Sequence, residues 1–240
     1  MKYYSYNIII IIISIVIGSE DSNLNSIIGK KLNYELKFKN ISAGTAYILI
    51  EKDSLADKSI IRLRSELKTN SFFDLFYKIR DDITVYMNDY DYSLIKVINK
   101  INEGKHSKEL TSIVDADLKL ISSSINNLSI SKKVYSPLSV IFSLRNKMFS
   151  NDANYNYLTY SMGKLKNINV VISEEEIITT PYGTYNTFIA VPKSLENKPI
   201  LKNNGDMKIW YTSNKDRIPI KIEIKINYGS ILLKLKNIEE

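Results

Sequence analysis

One histidine, no cysteine and a few clusters of carboxylates make up the reactive inventory of this 240-residue chain. His106 lies in the polar stretch NEGKHSKE. A Ser-His-Asp triad needs its imidazole held rigidly as general base, and a turn is a poor place to build one, so His106 reads as a surface side chain. A single histidine without cysteines also leaves a zinc site short of ligands. Carboxylates cluster at Asp81 and Asp82, Asp89 and Asp91, Asp115 and Asp117, and Glu174 to Glu176. Such pairs could hold Ca²⁺ or run acid–base hydrolysis. None has the central glycine and closing glutamate of a calcium loop, and turn or strand-end positions account for them. Ser129-Ile130-Ser131-Lys132 fits the S-x-x-K spacing of penicillin-binding enzymes, but their other motifs are missing. No G-x-S-x-G, phosphate-binding loop or dinucleotide-binding glycine pattern occurs. Every reaction template lacks a required residue type. The expectation is a protein that is not an enzyme, with no cofactor and no metal.

Two groups of residues could instead touch a ligand. Arg145 falls among Ile141, Phe142, Met148 and Phe149 in a segment of helical spacing, so its charge can face the interior. A charge facing a core must be paired. Either an Asp or Glu on a strand supplies an internal salt bridge, or the guanidinium meets an anionic ligand headgroup. Tyr182, Tyr185, Trp210 and Tyr211 fall on C-terminal segments that could be neighbours in one sheet. Aromatics there either line a cavity or make cross-strand pairs.

The elements that would position these residues are mostly strands. Leu32 to Phe38 (LNYELKF) places Leu32, Tyr34, Leu36 and Phe38 on one face, the period-2 signature of a half-buried strand. Ile41 to Gly44 reads as a turn and Thr45 to Glu51 as its hairpin partner. Ile60 to Lys68 alternates again, Phe73 to Met87 gives one or two more strands, and Tyr92 to Ile101 pairs with Glu109 to Val114. Beyond residue 168, Asn169 to Ile178, Thr184 to Pro192, Met207 to Thr212, Ile218 to Tyr228 and Ile231 to Asn237 are all strand-like. In Ile218 to Ile226 five isoleucines alternate with polar partners, and Pro219, lacking an amide donor, belongs at an edge or a strand start. Ile209 faces the core by parity and Trp210 the opposite side. The one helix expected spans about residues 137–149, with Ser136 as N-cap and Pro137 at the first helical position. Strands do not alternate with helices, which argues against a parallel α/β sheet. The expected fold is a mainly β, antiparallel curved sheet, an open barrel-like or half-barrel form with that short helix packed on it.

Composition bounds the rest. Hydrophobic residues make up 44% and charged residues 25%, which allows a sizeable core. Lys+Arg 33 against Asp+Glu 26 gives +7, but the lysines are scattered singly, so no nucleic-acid partner is expected. Ile8 to Ile17 is an apolar run of signal-peptide length after one lysine, with Gly18 and Ser19 at a cleavage position. Residues 1–19 therefore read as a signal peptide or an uncleaved inner-membrane anchor, 20–31 as a polar, flexible leader, and 32–240 as one β-rich domain. In either case the body lies outside the cytoplasm, in a periplasm.

Four segments together resemble a known family: NISAGTAYI around Gly44, the helix opening SPLSVIFSLR, the run EEEIITTPYGTYNTFIAVP, and MKIWYTSNKDRIPIKIEIKINYGSILLKL. In this order and spacing the chain, from about Leu32 to Leu235, resembles the bacterial exported proteins of domain-of-unknown-function family 3108. Val134-Tyr135 stands where that family often has an acidic residue, and Asn203-Asn204-Gly205 is a polar version of its lysine-glycine turn. The resemblance implies an exported, antiparallel β domain, with an architecture like the curved half-barrels of periplasmic lipoprotein carriers. It transfers no catalytic residue. Two function classes remain: a non-catalytic carrier holding a lipid or other amphiphile, and a structural or protein-interaction component of the cell envelope. For the carrier, Arg145, Trp210, Tyr211, Tyr182 and Tyr185 are the candidate ligand contacts. The oligomeric state is left open.

Overall fold

The computed structural model describes residues 26–195, 205–226 and 229–240, with the side chains of Glu174 and Ile226 set aside. The Ile8–Ile17 segment, the cleavage position at Ser19 and the start of the leader lie outside these residues. The end of the leader is packed rather than flexible, with Ile27 in the core and the Gly29 amide donating to the Ile50 carbonyl at 2.7 Å. Fifteen strands are described: β1 (Lys31–Phe38), β2 (Ile41–Leu55), β3 (Lys58–Thr69), β4 (Arg80–Asn88), β5 (Leu94–Glu103), β6 (His106–Asp115), β7 (Leu120–Ser123), β8 (Asn127–Ser129), β9 (Val134–Tyr135), β10 (Asn154–Ser161), β11 (Lys164–Thr180), β12 (Gly183–Ser194), β13 (Met207–Thr212), β14 (Pro219–Ile226) and β15 (Gly229–Glu239). They form a single open sheet in the order β8-β7-β6-β5-β4-β3-β2-β1-β15-β14-β13-β12-β11-β10-β9. Every ladder is antiparallel except β9 with β10. The alternating sequence pattern leads to this sheet directly, because each strand buries one face and leaves the other to solvent.

The ladder does not close, yet its two ends are stitched. Asn126, in the β7–β8 turn, donates from Nδ2 to the Gly163 carbonyl in the β10–β11 turn at 2.9 Å. The hydroxyls of Ser112 on β6 and Tyr160 on β10 are 2.7 Å apart, and both residues are buried. The sheet is therefore barrel-like without continuous backbone pairing, and its interior holds Leu32, Tyr34, Ile50, Leu63, Val85, Tyr211 and Leu235. Full burial of each large apolar side chain is worth about 1.5–3 kcal/mol.

Several local expectations change. The first hairpin turns at Lys39-Asn40, both at positive φ, as a two-residue loop that matches strand twist requires. Ile41 to Gly44 is thus the start of β2 rather than a turn. Gly44 is needed for another reason: a Cβ there would stand 2.0 Å from the Lys68 carbonyl oxygen on β3. The segment from Phe73 is not all strand. Ser71–Asp74 forms a one-turn helix, α1, capped by the Asn70 side chain accepting from the Phe73 amide at 3.0 Å. The expected 137–149 helix is shorter: α2 covers Pro137–Ser143, a 3₁₀ turn follows at Leu144–Asn146, and Lys147 is already extended. Ser136 and Ser139 make a reciprocal capping box at its start. Pro219 is the first residue of β14, where its missing amide costs nothing.

Candidate functional site

The α2 helix is buried on all sides from Ser139 to Ser143. Pro137, Val140, Ile141 and Leu144 recur at i, i+3, i+4 and i+7, which places them on one face. That face stands over one side of β10 to β13. The register makes the opposing surface common to four strands: Thr159 pairs with Lys166, Ser161 with Lys164, Val170 with Pro192, and Ala190 with Ile209. Between helix and sheet lies a cavity of about 270 Å³, just below the usual small-molecule range of roughly 300–1,000 Å³. Leu144, Val170 and Ile209 form its deep, fully buried wall. Pro137, Ser161, Lys164 and Lys166 are exposed and mark its mouth, and Met207 lies half-buried near that end.

The polarity of the cavity is arranged along its depth. The Thr159 hydroxyl, facing the cavity, donates to the Lys166 carbonyl at 3.0 Å and so presents little unmet polarity. The ammonium groups of Lys164 and Lys166 belong to side chains at the mouth. An apolar interior with cations at the opening can accept an alkyl chain while leaving an anionic head in water. The helix was legible in the chain, but the residues read as its apolar stripe share only Ile141 with the cavity wall. The sheet wall was not legible, because it exists only once four strands are in register.

None of the five residues singled out as ligand contacts lines this cavity. Arg145, in the 3₁₀ turn after α2, is fully buried. It donates from Nε to the carbonyl oxygens of Asp216 and Arg217 at 3.0 and 3.1 Å, and from Nη2 to the Asp216 carbonyl at 2.6 Å and to Ser26 Oγ at 2.9 Å. The contacts described are with backbone carbonyls and a hydroxyl. Burial pushes its pKa down to about 10, against the opposing pull of Tyr211, Tyr92 and Asp216. Arg217 returns a hydrogen bond to the Arg145 carbonyl at 3.1 Å and lies 4.7 Å from the Phe149 ring centroid. The helix end and the β13–β14 turn are thereby locked together.

Tyr211 is a core residue. Its hydroxyl donates to the Ile141 carbonyl at 2.8 Å, its ring meets Phe149 edge-on at 5.3 Å, and burial raises its pKa well above the ordinary tyrosine value. Trp210 points to the face opposite Ile209, as strand parity requires. It is only 3% exposed, because Lys221 covers the ring at 3.7 Å and its indole nitrogen donates to Glu176 at 2.9 Å. Tyr182 and Tyr185 stack at 5.8 Å on the β11–β12 hairpin. These aromatics are pairing and packing elements.

Of the clustered carboxylates, Asp81 is the one shifted upward. Burial, with Glu103 close by, pushes its pKa up to about 6, although the Asn102 amide donates to it at 2.9 Å. Asp91 pairs with Lys133, which lowers its pKa in spite of partial burial. Ser129 and Lys132 of the S-x-x-K match are both exposed. Among the described residues, no group of three His, Asp or Glu side chains is placed to hold a metal ion.

Residues 33–236 match the family described as "Protein of unknown function (DUF3108)". The chain belongs to that family. Among solved structures it is similar to a beta-barrel-like protein of domain of unknown function DUF1849 from Brucella abortus, at 12% identity, with a TM-score of 0.59. That alignment covers 88% of this chain and 96% of the other. At this identity the likeness is one of fold, and it extends over nearly all of both chains. No curated protein matches the chain. No helix among the described residues is long and apolar enough to cross a membrane.

Proposed function

We propose that this protein is a non-catalytic, exported carrier that holds an anionic amphiphile, its chain between α2 and the β10–β13 sheet and its head at Lys164 and Lys166. The observation that carries the reading is the gradient within the cavity: Leu144, Val170 and Ile209 at the closed end and two lysines at the open end. The apolar run Ile8–Ile17 supports placement outside the cytoplasm. The volume suits a single short or partly inserted acyl chain.

The test is to extract purified protein with organic solvent, identify co-purified lipids by mass spectrometry, and titrate the protein with a fluorescent fatty acid. Stoichiometric lipid, or saturable probe binding displaced by unlabelled fatty acid, is the expected result. Lipid-free protein that also fails to bind the probe would sink the reading.

A further inference from the structure

The strand register fixes which turns share an end of the barrel. Phe38 pairs with Ile41 and with Ile231, Gly44 with Thr69, Lys68 with Arg80, and Glu103 with His106. On the other flank Ile224 pairs with Met207 and with Ile231, Ser194 with Ile168, and Ser161 with Lys164. The Lys39-Asn40 turn, the segment from Asn70 to Ile79, the Gly104-Lys105 turn and the Met162-Gly163 turn are therefore on one rim. The cavity mouth opens on that same rim.

This rim carries a contiguous run of exposed apolar residues. Leu75 is 80% and Phe76 74% exposed, and Phe72 and Tyr77 beside them are also largely in solvent. They are held out by structure. Asn70 caps α1, donates from its amide to the Ala43 carbonyl at 2.8 Å and from Nδ2 to the Ser42 carbonyl at 2.9 Å. Arg80 bonds Asp74 at 2.5 Å through Nη2, and Asp74 also accepts from Thr69. Asn70 and Asp74 are thus tied back to the barrel, while Ser71 and Lys78 stay in solvent. Phe72 meets Phe73 at 5.6 Å and Phe76 at 5.5 Å, and Phe73 packs edge-on against Phe38 of β1 at 6.2 Å. Tyr77 lies against Gly104, where a Cβ would come within 2.9 Å of its ring. On the opposite rim Leu55, Tyr90 and Leu118 are exposed too, but each stands on a different hairpin.

Charge decides the occupant. Lys39, Lys78, Lys105 and Lys164 are exposed on the same rim, while Asp74, the acidic residue inside the apolar segment, is engaged by Arg80. Aromatic and aliphatic side chains projecting beside snorkelling lysines are the composition of a membrane-interface surface, and the cations favour anionic headgroups. We infer that this rim docks on an anionic phospholipid bilayer, with Phe72, Leu75, Phe76 and Tyr77 at headgroup depth and the cavity mouth facing the lipid. Docking follows from the rim alone. Only its consequence, transfer of an amphiphile between bilayer and cavity, rests on the carrier reading.

The chain has no cysteine, so a single introduced thiol can be labelled uniquely. The full chain carrying Leu75→Cys, and separately Leu118→Cys, is labelled with an environment-sensitive fluorophore and mixed with vesicles of phosphatidylcholine alone or with phosphatidylglycerol. The label at position 75 shifts to the blue on the phosphatidylglycerol vesicles and that at 118 does not, a difference that tethering through the N-terminal segment would not produce. The Phe72→Ser/Phe76→Ser pair in the Leu75→Cys background loses the shift while retaining fatty-acid probe binding. An unshifted label at position 75, an equal shift at both positions, or burial of position 75 only by an envelope protein would overturn the proposal. Fatty-acid binding measured without vesicles reports on the carrier reading separately.

Discussion

The Arg145 guanidinium grips the carbonyl oxygen of Asp216 from two nitrogens, Nη2 at 2.6 Å and Nε at 3.0 Å. This clamp joins the end of the α2 segment to the β13–β14 turn across 71 residues of chain. It also explains how a fully buried cation is tolerated: its donors meet carbonyl dipoles in a region ringed by Tyr34, Tyr92 and Tyr211. Arg145→Ala leaves the Asp216 and Arg217 carbonyls without their donor and opens a space. The expected loss is about 3–5 kcal/mol, the range for breaking a buried charged network. Arg145→Lys recovers only part of it, since an ammonium on a single stem cannot reproduce the fork. Urea unfolding midpoints of the three proteins check both statements.

The only tryptophan is the natural test of which face matters. Trp210 is sealed beneath Lys221 on the side away from the cavity. Its emission should be blue-shifted and resistant to acrylamide. Trp210→Phe removes one hydrogen bond to an exposed carboxylate and should cost about 1–2 kcal/mol. Fatty-acid probe affinity should stay within twofold of the parent, whereas a residue contacting ligand would change it several-fold.

Gly44 is the position where the sheet has no room for a side chain. Its hydrogen faces the Lys68 carbonyl across β2 and β3, and the added methyl of Gly44→Ala would overlap that oxygen. Backbone has to move, so the cost exceeds the usual 1–3 kcal/mol of an overpacked site. Ala46→Gly, two residues along the same strand, should cost about 1 kcal/mol through chain entropy and lost packing. Thermal unfolding of the pair separates a steric requirement at residue 44 from a general intolerance in β2.

Much of this was legible in the chain, for reasons that mark where sequence reading stops. Leu32, Tyr34 and Leu36 alternate cleanly and are buried, because β1 lies mid-sheet with one face on the core. Ser136 and Pro137 announced the start of α2, since capping chemistry is local. β10 escaped because NYNYLTYS is half Asn, Ser and Thr, and its tyrosines are split between the two faces, Tyr155 and Tyr157 on one and Tyr160 on the other. α1 escaped because one turn with its apolar residues in solvent has no period to detect. Arg145 was legible as an inward charge, but not its partners: carbonyl oxygens brought in by a distant turn leave no residue-type signal. The cavity is hidden for the same reason, since its sheet wall is assembled by register among β10 to β13.

Stability should respond to pH through Asp81. Its pKa rises from 3.8 to about 6 on folding, first through burial and then through Glu103. Between pH 4 and 6 the folded state therefore holds more proton than the unfolded state, and stability attributable to this carboxyl falls as pH rises. Above pH 6 the ionised group is a net cost. Asp81 is only half-buried, so solvent screening holds that cost to about 1 kcal/mol. Asp81→Asn keeps an acceptor for the Asn102 amide and removes the charge. It should raise the unfolding midpoint at pH 7.5 and leave it unchanged at pH 4, which parallel urea titrations at the two pH values measure.

The cavity can be closed without harming the fold, and that separates a ligand site from a packing defect. Val140 lies on α2 with its side chain on the space and its backbone inside a capped helix. Val140→Trp fills volume that is otherwise empty, so the overpacking penalty of about 1–3 kcal/mol is offset by recovered dispersion contacts. The unfolding midpoint should change little, while fatty-acid probe affinity falls at least tenfold. The charges at the mouth act differently. Lys164→Glu with Lys166→Glu leaves the apolar wall intact but reverses the field at the opening. Each exposed charge contributes up to about 1 kcal/mol, so reversing both should weaken an anionic fatty acid by roughly tenfold. A neutral monoacylglycerol should bind the double variant as it binds the parent. If both ligands weaken together, the lysines hold the wall in shape; if only the anion weakens, they read its head.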